Sequence, residues 1–295
     1  MTSIGTIGVW AAQLRSRDRG RVREVAAAIV DLGYDTAWVP GGAGGDLLGD
    51  VDAALDATRR ITVATGILNI WAHDAAEVAA WHARVRERHP GRMLLGLGAS
   101  HGALVDGYRK PLSAMRGYLD ALDAAPVPVP ADQRVLAALG PKMLELAATR
   151  SRGAHPYLVT AEHTRVARTA LGPGPLLAPE LKVVLDTDPA RARGVARAHL
   201  ASYLELPNYT RNLLRTGFTE PDLADGGSDR LVDGVVAHGD TVAVVRRARE
   251  HLDAGADHVC VQVLTAQRRD VPIDAWRELA PALRDGLAAP SIPAT

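Results

Sequence analysis

Apolar positions along the chain follow two alternating periods. Short, nearly continuous apolar runs occupy residues 6–10, 36–39, 61–68, 93–97, 135–138, 154–158, 181–185 and 259–263, as expected of parallel strands covered on both faces. Between the runs, apolar residues recur every third or fourth position. Val22, Val25, Ala26, Ile29 and Val30, for example, mark one face of a helix. Helices are predicted over 19–32, 51–58, 75–88, 111–124, 141–150, 161–170, 189–204 and 241–254. Gly33 stands where a helix C-terminus favours glycine, and Pro111 and Pro141 stand at first helical positions. The pattern gives eight strands, each followed by a helix and joined by right-handed crossovers, which is a (β/α)8 TIM barrel in the α/β class. A doubly wound sheet is the runner-up, weakened because no G-x-G-x-x-G opens a helix after the first strand.

Residues 205–233 break the rhythm with Pro207, Pro221 and Gly226-Gly227. They are expected to form a helical insertion before the last βα unit, over the barrel mouth or an oligomer face. The run Pro126-Val127-Pro128-Val129-Pro130 reads as a stiff connector, because the alternation resumes directly after it. Residues 1–295 are therefore read as one domain.

Composition narrows the function classes. A 47% hydrophobic and 23% charged chain can bury a large core and is not a disordered or coiled-coil sequence. Lys+Arg and Asp+Glu balance at 34 each, leaving no electrostatic footprint for nucleic acid or an anionic membrane. No run approaches the ~20 apolar residues of a membrane span. Cys260 is the single cysteine and cannot build a disulfide framework. With no secretory leader pattern at the N-terminus, a cytoplasmic location is expected. No H-x-x-x-H or C-x-x-C spacing occurs, so no metal centre is expected.

In a barrel of this type the site lies at the C-terminal strand ends. Here those ends are rich in glycine: Pro40-Gly41-Gly42-Ala43-Gly44-Gly45, Thr65-Gly66-Ile67-Leu68-Asn69-Ile70-Trp71, Gly96-Leu97-Gly98-Ala99-Ser100-His101 and Leu139-Gly140-Pro141-Lys142. Any one loop is explained by a tight turn. Four together point to backbone closely approaching a flat ligand.

These residues also carry a resemblance. Leu32-Gly33-Tyr34 leads into Trp38-Val39-Pro40, and Ala64 to Trp71 is followed by Pro90-Gly91-Arg92-Met93-Leu94-Leu95-Gly96-Leu97-Gly98. Further on come Lys110-Pro111 with Met115 and Tyr118, then Ala137 to Ala147, and Gly153-Ala154-His155-Pro156-Tyr157-Leu158-Val159-Thr160. Over roughly residues 4–265 the chain resembles the luciferase-like barrel family of flavin and deazaflavin enzymes, and within it the coenzyme F420-dependent oxidoreductases.

The resemblance implies hydride transfer between F420 and a small organic substrate, by C=C or C=N reduction or by alcohol oxidation, in a homodimer. An FMN-dependent luciferase-like monooxygenase is the alternative; a cofactor-binding protein without turnover is a second. It implies a cis peptide between Gly66 and Ile67 backing the ring, with Gly98, Ala99 and Ser100 near the redox carbon; Asn69 can pair at a ring edge or serve as an ordinary helix cap. It places the phosphate side at Leu139, Gly140, Pro141 and Lys142, where a helix N-terminus favours an anion. Lys142 is either a point charge there or a solvated first-turn lysine. His101, whose imidazole titrates near neutrality, is the expected acid–base group, with capping or packing as its other reading. His155 faces ring or substrate, or is structural. One departure matters: relatives carry an acidic residue or an Asp-His pair after the second strand, where this chain has Gly41 to Gly45. Pocket size is expected to depend on the insertion and on the loops around Trp10, Trp71 and Tyr108.

Overall fold

The structure, a computed structural model, describes residues 2–42, 44–100, 110–267 and 270–288. Its strands are β1 (Ile7–Trp10), β2 (Thr36–Val39), β3 (Thr62–Thr65), β4 (Leu68–Asn69), β5 (Met93–Gly98) and β6 (Arg134–Leu136). They continue as β7 (Gly153–Ala154), β8 (Leu176–Leu177), β9 (Glu180–Val184), β10 (Val236–His238) and β11 (Val259–Val263). All pairings are parallel, in the order β10-β9-β11-β1-β2-β3-β5-β6-β7-β8, with β4 on β5. β8 and β9 are pieces of one strand interrupted at Ala178-Pro179. Ala178 N–H donates to Ala154 O and Glu180 N–H to Pro156 O, each at 2.9 Å. These bonds close the ring into the expected TIM-barrel fold.

Where the structure departs from the pattern, backbone chemistry explains it. The run 61–68 is not one strand, because the chain breaks between β3 and β4 at a cis peptide joining Gly66 to Ile67. The run 154–158 pairs only at its start: Pro156 lacks a donor and Leu158 sits at φ 56°. β10 takes the place beside β9 that β7 thereby vacates. The second helix begins at Leu47, not residue 51, because the Asp46 side chain accepts from Gly49 N–H and caps it there.

The barrel interior is packed by a few large side chains among small ones. Trp38, wholly buried, packs with Ala64, Leu94, Val135, Ala178 and Cys260 beneath the strand ends. Outside, helix faces cover the other side of the sheet; Val22, Val25, Ala26 and Ile29 are the buried stripe of the Arg19–Asp31 helix. The insertion is helical as expected. Helices Pro207–Arg215, Glu220–Leu223 and Asp229–Val235, with Phe218 in the link between the first two, pack through Tyr209, Leu213, Phe218 and Leu231 in one cluster with Leu158, Val184 and Leu200. No helix among the described residues is long and apolar enough to cross a membrane.

Candidate active site

A cavity of about 1550 Å³ opens at the C-terminal ends of the strands. One side is the Gly66–Ile67 cis bulge. Trp10 Nε1 donates to Gly66 O at 3.0 Å, fixing the bulge from β1. The Thr65 hydroxyl fixes it from β5, donating to Gly96 O and accepting from Gly96 N–H, both at 2.8 Å. Glycine is required against it: a Cβ on Gly41 would lie 1.9 Å from Ile67 O. Beyond the bulge, Asn69 Oδ1 accepts from Trp71 N–H at 3.1 Å, and Trp71 Nε1 donates to Ala99 O at 2.7 Å. The Asn69 amide is thus held by its own turn.

Another part of the lining is basic. The Pro141–Arg150 helix starts at Gly140 with no side-chain cap, and Gly140, Pro141, Lys142 and Met143 line the cavity, so the positive end of the helix dipole lies at its wall. Lys142 stands on that first turn. Arg215, from the insertion, brings Nη1 to 3.3 Å from where a Gly140 Cβ would be. With Arg211 this makes three cations against one carboxylate, Glu205, among the charged residues lining the cavity. His163 Nε2 pairs with Leu139 O at 3.0 Å and holds the Leu139-Gly140 turn from the next helix.

Beneath the cavity the barrel interior is unexpectedly polar. His155 is 1% exposed, and its ring stacks on the Trp38 indole. Its Nδ1 lies 2.7 Å from Ala178 O. A carbonyl only accepts, so Nδ1 carries the proton and Nε2 is a bare acceptor, with no partner among the described atoms. Burial pushes the imidazole down to about 4, so it is neutral at pH 7. One strand over, Glu180 Oε2 accepts from Lys182 Nζ at 2.8 Å with both side chains fully buried. Lys182 Nζ also lies 3.5 Å from the centroid of the Tyr157 ring. Tyr157 in turn donates to Gln262 Oε1 at 2.9 Å and shares a 3.0 Å bond with the Tyr203 hydroxyl.

Gly66, Ile67, Asn69, Gly98, Ala99, Ser100, Leu139, Gly140, Pro141, Lys142 and His155 all line this one cavity. His101, Tyr108 and Ala43 lie outside the described residues. The sequence reading missed Tyr157, Tyr203, Tyr209, Arg211 and Arg215, which also line it, and the ion pair under it. Tyr157 lies within the Gly153–Thr160 motif; the others belong to helices whose packing no local pattern fixes. No group of three or more His, Cys, Asp or Glu placed to hold a metal occurs among the described residues.

No curated protein sequence matches the chain, but solved structures do. It is similar to an F420-dependent secondary alcohol dehydrogenase in complex with an F420-acetone adduct, at TM-score 0.75 and 17% identity, covering 97% of this chain and 100% of that one. It is similar to the coenzyme F420-dependent tetrahydromethanopterin reductase of Methanopyrus kandleri, at TM-score 0.75 and 17% identity, covering 96% and 99%. A third similar structure is the FMN-bound oxygenating constituent of 3,6-diketocamphane monooxygenase, a type II Baeyer-Villiger enzyme of Pseudomonas putida. Its TM-score is 0.71 at 13% identity, covering 99% of this chain and 100% of that one. At these identities the likeness is one of fold. The family itself is shown by sequence: the luciferase-like monooxygenase family model matches residues 5–258, and the chain belongs to that family.

Proposed function

We propose that the chain is an oxidoreductase that uses coenzyme F420 to move hydride to or from a small organic substrate. The observation that carries this reading is the lining of the cavity, which combines the Gly66–Ile67 bulge with Lys142, Arg211 and Arg215. A flat ring joined to a long polyanionic tail matches both features. The volume of about 1550 Å³ exceeds the ~300–1,000 Å³ of ordinary ligand pockets, leaving room for substrate beside a cofactor.

The residues present fit such a group. Gly41 and Gly98 make room for Ile67 itself, for its carbonyl oxygen and its side chain respectively, so the bulge packs close against the neighbouring strand ends. His155 Nε2 offers an unpaired buried acceptor at the cavity floor. Lys142, Arg211, Arg215 and the helix N-terminus at Pro141 attract the anionic tail. When bound, the deazaflavin supplies the two-electron hydride chemistry; the protein's part is orientation, water exclusion and proton handling. Trp10 and the Thr65 hydroxyl hold the ring-backing peptide in place. His101 is the residue we assign to proton transfer, on the resemblance and on its imidazole chemistry.

Titration of the protein with oxidised F420 and with FMN, read by fluorescence quenching, tests the reading. F420 is expected to bind at least tenfold tighter, a difference of ~1.4 kcal/mol. Tighter binding of FMN would instead make the chain a flavin monooxygenase of the same family.

A further inference from the structure

Aromatic residues are scarce in this chain, at 4% of positions, yet four of them share one wall of the cavity. Trp10, Tyr157, Tyr203 and Tyr209 all line it, and they come from β1, the loop after β7, the Pro189–Leu204 helix and the insertion. Centroids are 5.6 Å apart for Trp10 and Tyr157, and 5.5 Å apart for both Tyr157 with Tyr203 and Tyr203 with Tyr209. The rings meet at 41° to 74°, so none is stacked flat on another. Tyr157 and Tyr203 are half-buried and keep ring surface toward the cavity.

The charge behind the wall selects the guest. Lys182, fully buried, brings its ammonium to 3.5 Å from the centroid of the Tyr157 ring and 2.8 Å from Glu180 Oε2. An aromatic face attracts cations through its quadrupole, but here that attraction is already engaged by Lys182. A second cation in the cavity would meet the field of the first. Glu205, at the cavity rim, is exposed and its charge is screened by solvent. The phenolic pair of Tyr157 and Tyr203, tied to Gln262, adds a polar edge to the apolar wall.

We infer that this wall is the substrate subsite, and that its substrate is a planar conjugated ring compound, neutral or anionic, bearing a hydroxyl or carbonyl group. The inference rests on the reading of the cavity as the active site of a deazaflavin enzyme. Stacking on the rings selects planarity, and the phenolic edge pairs with the oxygen function.

Isothermal titration calorimetry on the whole chain, with and without saturating F420, tests it with three probes: 2-naphthol, decahydro-2-naphthol and N-methylquinolinium. 2-Naphthol is expected to bind at least fivefold tighter than the saturated alcohol and at least fivefold tighter than the cation. Tyr203→Leu, checked for an unchanged thermal melt, should cut the preference over the saturated alcohol at least threefold. A preference under fivefold in the native chain, or a smaller fall in a folded Tyr203→Leu, overturns the proposal. The native-chain comparison decides alone if the variant does not fold. Loss of F420 binding with the probe preference intact would overturn the cofactor reading and leave the subsite standing; normal F420 binding without the preference does the reverse.

Discussion

The imidazole of His155 lies flat on the indole of Trp38, with centroids 4.0 Å apart and planes inclined by 15°. Trp38 passes its own N–H on to His258 Nε2 at 3.1 Å, and His258 Nδ1 reaches Gly5 O at 3.0 Å. Three wholly buried rings thus bridge the floor of the cavity to the bottom of the barrel. Burial pushes His155, His258 and His82 down to about 4 and His251 down to about 3.

That depression makes folding pH-dependent. In the unfolded chain these imidazoles titrate near ~6.5, so between there and about 4 only the unfolded state takes up protons. The stabilisation is complete above the unfolded value and is lost as pH falls through that window, by ~1.4 kcal/mol per pH unit for each histidine. Melting temperature should be flat above pH 7 and drop steeply toward pH 4.5. His155→Phe keeps a ring against Trp38 and should remove about one histidine's share of the slope. A melting temperature independent of pH across that range would contradict the burial.

Removing one partner of the Glu180–Lys182 pair strands the other charge. Lys182→Met alone should cost ~3–5 kcal/mol, while Glu180→Gln with Lys182→Met should recover most of it. Chemical denaturation of the two single variants and the double variant measures the coupling. If the losses simply add, the pair is not interacting in the way its 2.8 Å contact implies.

Gly41→Ala places a methyl group 1.9 Å from the Ile67 carbonyl oxygen, a backbone atom that cannot rotate away. The loop or the bulge must shift, at ~1–3 kcal/mol. F420 affinity should fall at least tenfold while the far-ultraviolet dichroism of the barrel is retained. Unchanged affinity would remove the bulge from the binding surface.

Arg215→Ala should weaken F420 about tenfold, the low end of the ~1.5–3 kcal/mol carried by a hydrogen bond to a charged group. The loss should shrink as salt rises. Lys142→Ala should act in the same direction. Equal effects on F420 and on a tail-less deazaflavin would place the tail elsewhere.

His101→Ala should leave F420 affinity within a few-fold and lower turnover by ~10²–10⁴, the usual loss for a positioned acid–base group. The pH–rate profile should also lose its limb near ~6.5. An unaltered rate would return His101 to a packing role.

The barrel was readable because parallel strands buried on both faces advertise themselves as apolar runs, and helix starts carry their own caps. β2, β11 and the helix Ala75–Arg88 begin and end where the pattern puts them. Features fixed by tertiary packing were not readable. Glu180 and Lys182 sit in an otherwise apolar strand, and nothing local signals that both turn inward and pair. β10 is only Val236–His238, too short for a period, and it pairs because β7 has left β9 exposed. The glycine loops of the candidate site were legible only as a set, since a lone glycine reads as a turn; in the structure Gly41 and Gly96 answer to backbone carbonyls and Gly98 to the Ile67 side chain. Tyr203, Tyr209 and Arg215 were not, because helices outside the repeating βα unit carry them to the cavity.

The packed rings under the site also set the traffic through it. Among the described residues, the buried rings of Trp38, His155 and His258 close the floor of the chamber, so it does not run on through the barrel. If cofactor and substrate share this chamber as proposed, the one seated deeper must come first and go last, and an excess of the shallower guest would trap the deeper one in place.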